Sequence, residues 1–183
     1  SMGVVGVTHS KSLNDKTYIR TTLSLYGSNA HAEHNLFYRD SATLALDTIF
    51  PKLRYEFISG KISANFALTR KLNLKHSIKT GIMTERLSFN MADSNYLESA
   101  GVWDNRVAYR GFTFLIQPYA QWKYKVTDNL VFNSGVHGQL FLLNNSYSVE
   151  PRAGMRWKFS SNQAFSVGYG FHSIMMLTLN LKS

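Results

Sequence analysis

Between Arg110 and Val126 apolar and polar positions alternate. Even positions carry Phe112, Phe114, Ile116, Pro118, Ala120, Trp122, Tyr124 and Val126, and odd ones carry Thr113, Leu115, Gln117, Tyr119, Gln121, Lys123 and Lys125. A strand sends successive side chains to opposite faces, so this spacing predicts a sheet with one apolar and one wet face. The segment outruns the roughly five or six residues usual for strands of soluble sheets.

The same rule recurs in both directions along the chain. From Tyr147 to Phe159 the odd positions are apolar, while Ser148, Glu150, Arg152, Arg156 and Lys158 stand between them. From Ile58 to Leu68 the apolar set is even, with Ser59, Lys61, Ser63 and Asn65 opposite. Leu72 to Ile82, Leu130 to Leu142 and Phe165 to Phe171 repeat it, and Tyr18 to Leu25 and Asn29 to Tyr38 follow it loosely. No segment sustains a 3.6-residue period, so helix is expected to be minor at most.

The expected clear strands are Tyr18 to Tyr26, Asn29 to Tyr38, Glu56 to Arg70, Leu72 to Asn90, Arg110 to Val126, Asn129 to Leu143, Tyr147 to Phe159 and Gln163 to Ser173. Gly3 to His9 and Ile174 to Leu181 can each add one, for eight to ten strands in all. Tight turns are predicted at Gly27-Ser28, Arg70 to Asn73, Val126 to Asn129 and Ser160 to Gln163, and long connections at Asp40 to Tyr55 and Met91 to Tyr109. Short turns at one end and longer loops mostly at the other are how outer-membrane barrels are built. Trp122, Tyr124, Phe132, Trp157, Phe159 and Phe165 all lie near the short turns, where an interfacial aromatic girdle would sit.

Composition moves the same way. The chain has 183 residues, 44% hydrophobic and 14% aromatic, with only 17% charged. The charged share is below the roughly 25% of soluble domains, which favours a chain with an apolar outer face. No run of apolar residues is long enough for a transmembrane helix, whereas a transmembrane barrel announces itself by alternation. Cysteine is absent, which removes disulfides, thiolate catalysis and cysteine-ligated zinc. The net charge of +9 is spread over the polar faces of strands instead of forming a single run. Residues 1–183 are read as one domain, with Ser1-Met2 as a cloning remnant.

The wording of particular strands adds a resemblance. Ser148 to Gly154 with Trp157-Lys158-Phe159, then Asn162-Gln163 and Ser166 to Ser173, resembles the late barrel strands of TonB-dependent receptors of the Bacteroidetes kind. Val7 to Ser10 leading to Lys16 to Thr22, and Ile58 to Lys61 leading to Thr84-Glu85-Arg86, look similar to earlier strands of that barrel. The resemblance implies an all-β, antiparallel up-and-down transmembrane barrel, of which this chain supplies the carboxyl-terminal part of the wall. It implies a Gram-negative outer membrane, uptake of a scarce nutrient such as a glycan, an iron chelate or a vitamin, and no enzymatic activity. Its partners would be outer-membrane lipids, a plug domain, the TonB complex and an accompanying lipoprotein. The last residues, Met175 to Ser183, lack the terminal aromatic that outer-membrane assembly recognises.

A soluble antiparallel barrel enclosing an apolar ligand uses the same alternation with the faces exchanged. A nucleic-acid-binding sheet is disfavoured, because aromatics and lysines segregate to opposite faces.

Candidate chemistry is sparse. His31-Ala32-Glu33-His34 carries metal-ligand residue types, but on a strand His31 and His34 point to opposite faces, so no metal or other cofactor is expected. No nucleophile, base and orienting group can be assembled. The polar face carries Lys61, Lys79, Arg152 and Arg156 as expected lumen-facing cations, suited to anionic substrates. In the second long connection Tyr96, Trp103, Asp104, Asn105 and Arg106 offer the aromatic and polar pairing that suits sugars or chelates.

Overall fold

The computed structural model describes residues 1–39, 43 and 45–173, so the strand expected at Ile174 to Leu181 lies outside the described residues. The elements are β1 (Met2–Asn14), β2 (Thr17–Arg39), β3 (Leu46–Lys71), β4 (His76–Leu97), β5 (Val102–Lys125), β6 (Leu130–Phe141), β7 (Ser146–Lys158) and β8 (Ala164–Gly170). They form one sheet in the order β1-β2-β3-β4-β5-β6-β7-β8, and the described residues contain no helix. The ladders from β5 to β8 are antiparallel. This is the expected all-β, up-and-down architecture; among the described residues β1 and β8 remain the two edges, with no ladder closing them.

Short polar side chains make the connections. Asn14 Oδ1 accepts from Lys16 N at 3.0 Å, closing the β1–β2 turn. Asn73 Oδ1 accepts from the amides of Lys75 and His76 at 2.9 and 2.8 Å, and Thr127 Oγ1 from that of Leu130 at 3.0 Å. Such side-chain acceptors satisfy amides at the turns, and at Leu130 the Thr127 carbonyl oxygen shares the role at 3.4 Å. Gly101 closes the β4–β5 hairpin with φ 66°, a conformation that costs glycine nothing.

Three expectations about boundaries are corrected. Gly27-Ser28 is no turn: β2 runs straight through it. The two long connections are mostly strand, since β3 already begins at Leu46 and only residues 98–101 separate β4 from β5. The tally of eight stands only because β2 merges two expected strands and β1 extends to Asn14 to become another.

The chain divides into two compact units, each contributed by several strands. One comprises Ser1–Val5, Leu25–Lys61 and Leu87–Phe112; the other comprises Gly6–Ser24, Ile62–Arg86 and the chain from Thr113 onward. In the latter unit most of the buried side chains are polar. On β3, Ser63 is 8% exposed and Ile62 48%; on β7, Glu150 is 1% exposed and Tyr147 80%. Thr113, Gln117 and Glu85 are buried, whereas Phe66, Trp122, Phe132, Val149 and Trp157 are exposed. Ala67 and Phe141 are the only hydrophobic side chains buried among the described residues.

In the other unit the assignment reverses over part of the strands. On β3 from residue 51 to 57 the exposed positions are Lys52, Arg54 and Glu56, and the half-buried ones between them are Leu53, Tyr55 and Phe57, with Ile49 and Ile58 exposed on either side. On β5 Ala108 and Arg110 are exposed while Val107 and Tyr109 are half-buried. Tyr55 and Phe57 stack at 5.0 Å, and Tyr38 meets Phe50 edge-on at 5.6 Å. Following β3 along its length, the exposed side changes from charged to apolar between Glu56 and Ile58. The long connections looked loop-like because this reversal erases a single-period signal although the backbone stays extended.

Candidate functional site

The β4–β5 hairpin carries all five residues proposed to meet ligand but divides them between its faces, the pairs Tyr96–Trp103 and Ser94–Asn105 on one and Asp93–Arg106 on the other. Tyr96 packs edge-on against Trp103 with centroids 5.4 Å apart, and the Arg54 guanidinium lies 4.3 Å from the Trp103 ring centroid. Ser94 Oγ donates to Asn105 Oδ1 at 2.7 Å, and Arg106 donates to Asp93 Oδ2. Asp104 is exposed on the same hairpin. Arg54, Asp93 and Ser94 were not singled out in the sequence; their partners lie across a hairpin or two strands away, which spacing does not reveal. A cation over the face of Trp is attracted by the ring quadrupole. One face of the hairpin therefore holds an aromatic platform with the Arg54 cation over it and the amide of Asn105, and the other holds Arg106.

A second candidate lies wholly within the other unit. Its polar face carries a half-open recess of about 630 Å³, lined by the half-buried Asn65, Tyr119 and His137 and by the exposed Lys79, Gln121, Lys123, Asn133 and Arg152 among others. Register builds it. Across β5, β6 and β7 the rows run Lys123, Asn133, Gly154; then Gln121, Gly135, Arg152; then Tyr119, His137, Glu150. Glycine in each of the first two rows leaves bare backbone as the floor between longer side chains. A Cβ on Gly135 would come within 2.8 Å of the Ala120 carbonyl oxygen, so this close approach requires glycine.

Of the four cations expected on this face, Lys79 and Arg152 line the cavity. Lys61 is half-buried on the same side of β3 as Ser63, and Arg156 is exposed on the same side of β7 as Glu150, across from Val131 and Ser166. Glu150 is the hub beside the cavity. Its Oε2 accepts from Arg152 at 2.7 Å and lies 3.4 Å from His137 Nδ1, while Oε1 accepts from Gln139 Nε2 at 3.1 Å and the Ser173 amide at 2.8 Å. The sequence placed Glu150 on the polar face and gave no sign that four groups from three parts of the chain would meet on it.

The His31 to His34 segment does not assemble a ligand set. His31 and Glu33 are exposed, His34 lies 6.1 Å from the Tyr55 ring, and no group of three or more potential metal-ligating side chains gathers among the described residues. Compared with known proteins, the chain matches no family model and no curated protein.

Proposed function

We propose that the chain is wall of an outer-membrane β-barrel, with the sequence resemblance pointing to a TonB-dependent receptor that takes up a scarce nutrient. The observation that carries the reading is which side chains are exposed: Ile62, Phe66, Trp122, Val149 and Trp157 are exposed, whereas Ser63, Glu85, Thr113, Gln117 and Glu150 are shielded. Monomeric soluble proteins rarely expose a continuous apolar surface, whereas a lipid-facing wall requires one. The reversal on β3 and β5 fits strands that leave the hydrocarbon and continue into water, where exposed positions become charged. Aromatics near the turns add to this. Tyr124 is in register with Phe132, Trp157 with Phe165, and the rings of His76, Trp122 and Tyr124 lie parallel to within 4°. A soluble barrel with an apolar interior would need the opposite face shielded.

The test uses the absence of native cysteine, which makes single introduced thiols unambiguous. Spin labels at Ile62→Cys and Ser63→Cys in the bilayer-reconstituted chain are expected to differ: position 62 is more accessible to oxygen, position 63 to a water-soluble nickel chelate. Equal or reversed accessibilities rule out the membrane-wall reading.

A further inference from the structure

The half-open recess on the polar face has a marked charge imbalance. Lys79, Lys123 and Arg152 line it and no Asp or Glu does. Among the described residues no carboxylate pairs with Lys79 or Lys123; the Lys79 ammonium lies 5.7 Å from the Tyr119 ring centroid. Glu150, the adjacent acid, is already engaged by Arg152, Gln139, His137 and the Ser173 amide. Cations gathered in a recess repel one another and raise the local concentration of anions. Between them stand neutral amides, Gln121 and Asn133, which can donate to and accept from hydroxyl groups. The Tyr119 ring adds an apolar surface, and the volume falls within the roughly 300–1,000 Å³ of ordinary ligand pockets.

We infer that this cavity binds an acidic oligosaccharide, with carboxylates on Lys79, Lys123 and Arg152, hydroxyls on Gln121 and Asn133, and a sugar face against Tyr119. The inference rests on the barrel-wall reading, which makes this face the water-filled one, and it narrows the substrate to uronate-type sugars. The cations supply attraction, the amides supply discrimination, and the glycine floor leaves room for a ring.

The full chain, refolded in detergent, is titrated calorimetrically with a trimer of galacturonic acid and with a trimer of galactose. The acidic trimer is expected to bind at least tenfold more tightly than the neutral one and to weaken as salt is raised. The Lys79→Gln/Lys123→Gln double variant is expected to lose at least tenfold affinity for the acidic trimer while keeping heat-modifiable migration on a gel. Equal affinity for the two sugars, no binding of either, or unchanged affinity in the double variant overturns the inference. Heat-modifiable migration of the parent chain separates the two claims: if it persists without acid-selective binding, the ligand class is wrong and the wall reading stands. If it is absent, both fall.

Discussion

The phenol of Tyr119 occupies the space that a side chain on Gly81 would need. A Cβ at Gly81 would come within 2.5 Å of both Tyr119 Oη and the Phe66 carbonyl oxygen. Tyr119 Oη in turn reaches Asn65 Oδ1 at 3.5 Å, so one ring spans the polar face from β5 to β3 across a glycine on β4. An aromatic laid over a strand glycine restores packing that the missing side chain forfeits.

Gly81→Ala is therefore expected to destabilise the chain by about 1–3 kcal/mol, the usual cost of overpacking. Adding Tyr119→Ala should recover only part of this, because a ring can move aside and the Phe66 carbonyl cannot. Urea denaturation of the detergent-refolded chain, followed by tryptophan fluorescence, measures both. Full recovery in the double variant removes the backbone from the explanation.

Replacing Glu150 is expected to lower the thermal midpoint more than replacing any one of its partners. Glu150→Ala leaves Arg152, Gln139 and the Ser173 amide without their shared acceptor, whereas Arg152→Met removes one donor of several. Glu150→Gln should fall between, since an amide oxygen still accepts. The check is the temperature at which the compact gel band is lost. Equal midpoints for Glu150→Ala and the parent would make the hub energetically idle.

The reversal on β3 predicts a sharp positional dependence of introduced charge. Ile62→Lys, on the apolar exposed side, is expected to cost about 2–4 kcal/mol if it lies near the bilayer midplane. A charge already present on the same strand, the exposed Lys52, tolerates Arg with little change in stability, because it stands in water. Refolding yield into vesicles and urea midpoints compare the two. Similar costs at both positions would mean that no apolar boundary lies between Glu56 and Ile58.

At the β4–β5 hairpin, the proposed uptake function predicts that Trp103→Ala and Arg106→Ala weaken substrate uptake by cells without lowering the surface level of the protein. Their structural effects should differ. Trp103 carries the contacts with Tyr96 and Arg54, so its loss loosens the hairpin; the Arg106–Asp93 pair is 45% exposed at the arginine and is expected to add at most about 1 kcal/mol. Limited proteolysis at the hairpin distinguishes the two variants. Unchanged uptake in both eliminates the site.

The strands legible in the sequence were those where one face stays apolar from end to end, such as Arg110 to Val126 and Tyr147 to Phe159. Illegible were the parts where exposure changes meaning along a single strand. Past Gly27 the exposed side of β2 carries Asn29, His31 and Glu33, and a glycine at such a change resembles a turn. At Asn14-Asp15 the signal was present, an Asx residue ahead of a new alternating run, yet the real turn went unread. The five candidate hairpin residues are contiguous or nearly so in sequence, so one segment names them all, while their pairing across β4 and β5 is not legible there. The cavity and the Glu150 hub depend on register between strands, which alternation leaves free to slide by two.

Because the strand order repeats the chain order, each strand neighbours only those before and after it in sequence, and no connection crosses the sheet. A hairpin is then a self-contained increment. Duplicating or excising β6 and β7 as a pair would leave the alternation of every other strand intact and oblige only one new seam to form. Barrel diameter grows with strand number, so if the sheet is wall of the proposed barrel, it can be widened or narrowed in steps of two strands. On that reading, capacity for cargo of different bulk is reachable by lengthening the sentence rather than rewording it.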